Sequence, residues 1–173
     1  FEAMEPLGQF NLGFIVARSA GELFIVDQHA ADEKHRFETL RSSTEIHTQR
    51  LIAPLPLQLT AADELVVLDH LHVFKRNGFD VEVVDGAPPT QRLRLRTLPF
   101  SKHTVFGPSD VLELVTLLAE VPGQHVALPK LRAVFAMRAC RSAVMIGTAL
   151  EPTKMRTVVS QLARLDQPWN CPH

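Results

Sequence analysis

Hydrophobic and polar positions change period along the chain, and those changes mark the elements. Gln9–Arg18 contains an unbroken apolar run, Phe14 to Ala17, and predicts a strand. Glu22–Asp27 carries a second run, Leu23 to Val26, with Ser19, Ala20 and Gly21 as a short hairpin connection. The run stops at Asp27, Gln28 and His29, and the Ala-, Glu-, Lys- and Arg-rich stretch Ala30–Arg41 predicts a helix. Ser42–Leu59 has no sustained helical period and holds Pro54 and Pro56, so it predicts a connecting segment with a short strand near its end. Thr60 with Asp63 and Glu64 predicts a capped helix start, with Leu65, Leu68, Leu71 and Phe74 as its apolar face and Gly78 as its stop. Phe79–Val84 and Arg92–Leu98 predict strands, the second with Arg92, Arg94 and Arg96 on one face. Further helices are expected over Pro108–Val121, Leu128 to about Val144 and Glu151–Leu165, before an irregular end.

Strand-strand-helix, then helix-strand-strand-helix, then two helices make an α/β chain of the α+β kind. The expected organisation is two lobes: residues 1–52 with 126–173, and an inserted lobe over 53–125. A chain of 173 residues with 46% hydrophobic and 21% charged residues can bury a core without disulfide staples. The first ten residues are polar-interrupted, which argues against a signal peptide, and no apolar run reaches the roughly 18 residues of a membrane span. Two cysteines cannot make a secreted-type framework, so an intracellular chain with reduced thiols is expected. The missing starting Met and the abrupt stop at His173 read as a piece of something longer.

Charge changes the picture more. Lys plus Arg total 18 and Asp plus Glu total 19, a formal net charge of -1. A domain that grips DNA alone usually has a basic excess, so DNA would have to be held by another domain, a partner or a local patch.

The candidate chemistry begins where the second strand meets its helix. His29 and Glu33 are one turn apart, about 40° different in direction, and share a helix face. An imidazole and a carboxylate so placed can grip one ion, although taken alone such a pair is more often simply solvated. Asp27 sits just before them. Glu38 lies about half a turn from His29, outside the reach of the same ion, and would support a partner of the site or cap a basic surface. Cys140, inside an apolar helix, reads alone as a small core residue. Cys171, Pro172 and His173 place a thiol and an imidazole on a loop stiffened by proline. Taken together, His29, Glu33, Cys140, Cys171 and His173 offer mixed S, N and O ligands that suit zinc, or a site that also accepts manganese.

The segment Asp27-Gln28-His29-Ala30-Ala31-Asp32-Glu33-Lys34-His35-Arg36-Phe37-Glu38 resembles the endonuclease motif of MutL proteins: DQHA, two residues, E, four residues, E. Ala139-Cys140-Arg141 is similar to the family's ACR motif, Cys171-Pro172-His173 to the start of its CPH-containing motif, and Gly8-Gln9-Phe10-Asn11 to the GQFN segment that opens the domain. Gln49-Arg50-Leu51-Ile52-Ala53-Pro54 resembles the sliding-clamp-binding segment, with Gln49, Ile52 and Pro54 as its anchors. The motifs arrive in family order along nearly the whole chain, with the flavour of the endonuclease subunits of eukaryotic MutL-alpha heterodimers.

The resemblance implies a nuclear DNA mismatch-repair endonuclease domain that nicks one strand of duplex DNA. It makes the outer segments the dimerisation and metal-site lobe and the insert a regulatory lobe. His29, Glu33, Cys140, Cys171 and His173 carry over as ligands to one or two Zn²⁺ or Mn²⁺ ions, and Asp27 with Glu33 as catalytic residues. Arg141 would orient a phosphate or form a structural ion pair. The implied partners are another MutL-family subunit, a sliding clamp, DNA and MutS-type mismatch-recognition proteins. ATP would act through an N-terminal domain outside this chain. The competing expectation is a non-catalytic dimerisation and docking module with a structural zinc site.

Overall fold

The computed structural model describes residues 1–43, 46–120 and 126–171. It is a mixed α+β chain with two three-stranded antiparallel sheets and six helices among the described residues. No described helix is long and apolar enough to cross a membrane. The chain divides into two compact units: Phe1–Thr44 with Phe135–His173, and Glu45–Val134.

The first unit is a β1-β2-β3 sheet (Glu5–Phe10, Phe14–Ser19, Glu22–Asp27) with helices α1 (Gln28–Ser43) and α6 (Pro152–Leu162). The expected strand Gln9–Arg18 is instead a hairpin. Asn11 and Leu12 take positive φ (49° and 48°), and this turn separates β1 from β2. In β2 and β3 one face turns inward: Ile15 pairs with Val26 and Ala17 with Phe24. Ile15, Ala31, Met155, Val158, Val159 and Leu162 then form the core between sheet and helices. The opposite sheet face leaves Leu23 and Ile25 exposed (68% and 71%), with Leu7 exposed in β1.

The second unit is a β4-β6-β5 sheet (Thr48–Pro56, Leu93–Pro99, Asp80–Val83) with α2 (Ala61–Asp69), α3 (Leu71–Arg76) and α4 (Pro108–Glu120). α5 (Pro129–Ser142) begins in this unit and ends in the first. The expected connector before Leu59 is largely strand. Two prolines are tolerated in β4 because it lies at a sheet edge and its register shifts between Arg50 and Leu55. The helix after Thr60 starts as expected, with the Thr60 side chain accepting from the Asp63 N–H. It does not run to Gly78 unbroken. The His70 ring contacts the Val66 carbonyl at 2.9 Å, competing for the acceptor that the next turn needs, and α2 gives way to α3 there. Its inward face is Glu64, Val67, Val73 and Phe74, while Leu65 is 54% exposed. Gly78 ends α3 at φ +86°, where a Cβ would lie 3.0 Å from the Ile46 side chain.

Glu64 is buried and tied to the β6 approach: it accepts from the Thr90 and Arg92 N–H groups, each at 2.9 Å, and pairs with the Arg92 guanidinium at 2.7 Å. Burial pushes this carboxyl up, but those three contacts outweigh it and hold it below the usual carboxylate range.

Candidate metal centre

α1 begins at the residue after β3 ends, so the β3 exit delivers its last side chains into the first turn of a helix. Asp27 caps that turn, its Oδ1 accepting the Ala30 N–H at 2.9 Å. Gln28 is fully buried. Its amide donates to the carbonyls of Leu12 and Met145 at 3.0 Å and of Thr148 at 3.2 Å, and its Oε1 accepts from Gln9. Gln9 in turn accepts the Leu150 N–H at 3.1 Å. These two glutamines tie the β1–β2 turn and residues 145–150 to the base of α1.

His29 comes next. Its Nδ1–H donates to the Val144 carbonyl at 2.9 Å, which turns Nε2 toward Glu33 and Cys140. Nε2 lies 3.7 Å from Glu33 Oε2 and 3.6 Å from Cys140 Sγ. All three ligand atoms lie within 4.8 Å of one another. Tetrahedral zinc with bonds of about 2.0–2.3 Å sets its ligand atoms roughly 3.3–3.8 Å apart; the two separations from His29 match that spacing, and the third donor pair lies within 4.8 Å, near enough to close around one ion. Glu33 is 5% exposed and Cys140 half-buried, so an ion there would be partly shielded from water. Ala139 is fully buried, and Arg141 beyond Cys140 is exposed in the last turn.

Asp32 sets the residue that orients His29. Its buried Oδ2 accepts the Val144 N–H at 2.9 Å and pairs with Arg36 Nε at 2.8 Å. The Val144 peptide is therefore gripped on both sides, by Asp32 at its N–H and by His29 at its carbonyl. Gln28, Asp32 and Val144 stand out as supporting groups only in three dimensions. The one sequence signal for Asp32 is its helical spacing to Arg36, and a main-chain partner such as Val144 carries no signal.

Glu38 lies outside the three-donor group. It accepts the Asp166 N–H at 2.9 Å and the Gln167 N–H at 3.4 Å, and pairs with Lys34 Nζ at 3.2 Å. Burial raises this carboxyl, but the Asp166 N–H, Lys34 and the Gln167 N–H together bring it below the usual carboxylate range. Cys171 is exposed and also outside the group. It lines a groove of about 290 Å³ with Asp27, Ala30, Lys34 and Trp169. His173 lies outside the described residues. In the second unit Gln49, Ile52 and Pro54 are all exposed on the edge strand β4, Ile52 completely.

Gln28→Ala is expected to destabilise the protein by about 2–3 kcal/mol, because several buried hydrogen bonds are lost at about 1 kcal/mol each. Urea unfolding with an unchanged m-value would register the loss; a change under 0.5 kcal/mol would show that the network does not hold the helix base.

Residues 7–150 match the family model described as the MutL C-terminal dimerisation domain. The chain is 49% identical to the Mismatch repair endonuclease PMS2 of Mus musculus and 48% identical to that of Homo sapiens, in each case over all of this chain and 20% of the relative. It is 48% identical to the DNA mismatch repair protein PMS1 of Saccharomyces cerevisiae, over all of this chain and 21% of that protein. It thus spans about a fifth of the length of these relatives. With a family model over most of its length and these identities over all of it, the chain belongs to the MutL family, in its C-terminal dimerisation domain.

Proposed function

We propose that this chain is the catalytic C-terminal part of a metal-dependent DNA mismatch-repair endonuclease that nicks one strand of duplex DNA and works as a heterodimer with another MutL-family subunit. The observation that carries the reading is the convergence of His29, Glu33 and Cys140 from two elements far apart in sequence. These residues would hold Zn²⁺ or Mn²⁺, joined by Cys171 and His173. A bound ion supplies Lewis acidity, an activated water and stabilisation of the charge on the attacked phosphate. Glu33 supports chemistry over a closed structural site, which is usually built from Cys and His alone. The relatives named mismatch repair endonucleases point the same way.

The chain's own residues divide the work. The Val144 carbonyl fixes the His29 ring with Nε2 toward its neighbours. Asp27, at the end of β3 two residues before His29 and in the groove that Cys171 lines, would take the proton of the attacking water. Exposed Arg141 orients a phosphate. With a net charge of -1, the chain needs help to stay on DNA. A sliding clamp engaging Gln49, Ile52 and Pro54 would supply it, since a fully exposed Ile52 on an edge strand is available to a partner's pocket. MutS-type proteins would direct the complex to mismatches, ATP would act through a separate N-terminal domain, and the setting would be the nucleus. The first unit serves as dimerisation and metal-site lobe, and the second as the regulatory lobe.

Asp27→Asn tests the assignment cleanly, because asparagine also caps helices well and should leave α1 intact. Nicking of supercoiled plasmid in Mn²⁺ by the full-length protein with its MutL-type partner should fall by about 100-fold or more, the usual worth of a proton acceptor. Partner binding should not change. Wild-type nicking by this variant would remove Asp27 from the chemistry.

A further inference from the structure

We propose that Glu38 is a positioning residue: it fixes the root of the terminal arm, Asp166 to Cys171, so that Cys171 can join His29, Glu33 and Cys140. This rests on the metal-centre reading above. Glu38 points away from the three donors, half a turn from His29 around α1, yet its carboxylate is well used. One oxygen accepts the Asp166 N–H, the other faces the Gln167 N–H and the Lys34 ammonium. Both Glu38 and Lys34 are largely buried side chains, 17% and 8% exposed.

The arm is ordered onward from that root. Asn170 returns to Gln167 twice, through its N–H to the Gln167 carbonyl at 3.3 Å and through its side chain to Gln167 Oε1 at 2.8 Å. Trp169 packs against Phe1 at a 5.1 Å ring separation. Cys171 is the next residue after this turn, in the groove that Lys34 and Asp27 also line. Lys34 thus touches both the clamp at the root and the groove at the tip. A thiol on an unfixed arm would have to be ordered each time it bound an ion, and fixing the root removes most of that entropy cost.

The test is alkylation of the full-length protein by iodoacetamide with and without Zn²⁺, read by peptide mass spectrometry at Cys140 and Cys171. In wild type Zn²⁺ should shield both thiols. In Glu38→Ala, Cys140 should stay shielded while Cys171 reacts at its metal-free rate, and Zn²⁺ affinity should fall about 10- to 100-fold, the usual effect of losing a residue that orients a ligand. Asp166→Pro, which removes the N–H but keeps Glu38, should repeat the Cys171 effect. Glu38→Gln, which keeps a neutral acceptor, should restore part of the shielding. Cys171 still shielded in Glu38→Ala would overturn the proposal. So would equal loss at both thiols, since Glu38 would then merely support the fold. A wild type shielding Cys140 but not Cys171 overturns it while sparing the metal centre; a wild type shielding neither sinks the metal centre itself.

Discussion

Glu33→Lys is expected to abolish metal binding and nicking together. The substitution removes one of three donors that lie within 4.8 Å of one another and puts an ammonium beside His29 Nε2 and Cys140 Sγ. Residues that merely orient ligands cost about 10- to 100-fold in affinity, so losing a donor and gaining a like charge should exceed roughly 100-fold. Calorimetric Zn²⁺ titration and plasmid nicking report the two effects separately. Both are expected to collapse while the far-UV spectrum and partner binding stay unchanged. Retained Zn²⁺ affinity would mean that the ion sits elsewhere.

The second large effect lies on the outer sheet face. Leu23 and Ile25 are 68% and 71% exposed on the face opposite the core, and Leu7, Phe10 and Leu12 are exposed in and beside β1. Apolar side chains exposed on the outer face of a sheet suit a protein interface, and the matching family model is a dimerisation domain, so we propose that this face carries the partner. Ile25→Glu would place an unpaired carboxylate in that interface. Loss of heterodimer affinity by about 2–4 kcal/mol, or roughly 30- to 1,000-fold, is expected. The fold should be intact, because the side chain already faces outward. Analytical ultracentrifugation with the MutL-type partner reads the effect; an unchanged dissociation constant would move the interface to another face.

The legible parts of this chain were those written in one stretch of sequence. The β3–α1 junction is such a case: an apolar run that stops at Asp27, followed by a helix-rich composition, places His29 and Glu33 on one face, and the structure brings them together with Cys140. Cys140 alone looks like a core residue; only motif order linked it to α1. What stayed hidden depends on contacts across the chain. The Asn11–Leu12 turn needs positive φ at two residues that do not advertise it. β4 is a strand despite Pro54 and Pro56 because an edge position spares their missing N–H groups. The helix breaks at His70, whose ring meets the Val66 carbonyl, although the apolar period runs on through it. Gln28 and Asp32 are buried polar residues inside a motif, yet their partners are carbonyls and N–H groups that any residue could supply.

The most direct test is a Mn²⁺ titration of closed-circular DNA nicking by the full-length protein with its MutL-type partner, with thermal melting followed in the same samples after chelation. A metallo-endonuclease should accumulate single-strand nicks as Mn²⁺ rises and stop when chelator is added. A protein whose melting temperature falls on chelation but which nicks at no Mn²⁺ concentration would contain a structural site, and the chain would be a docking module.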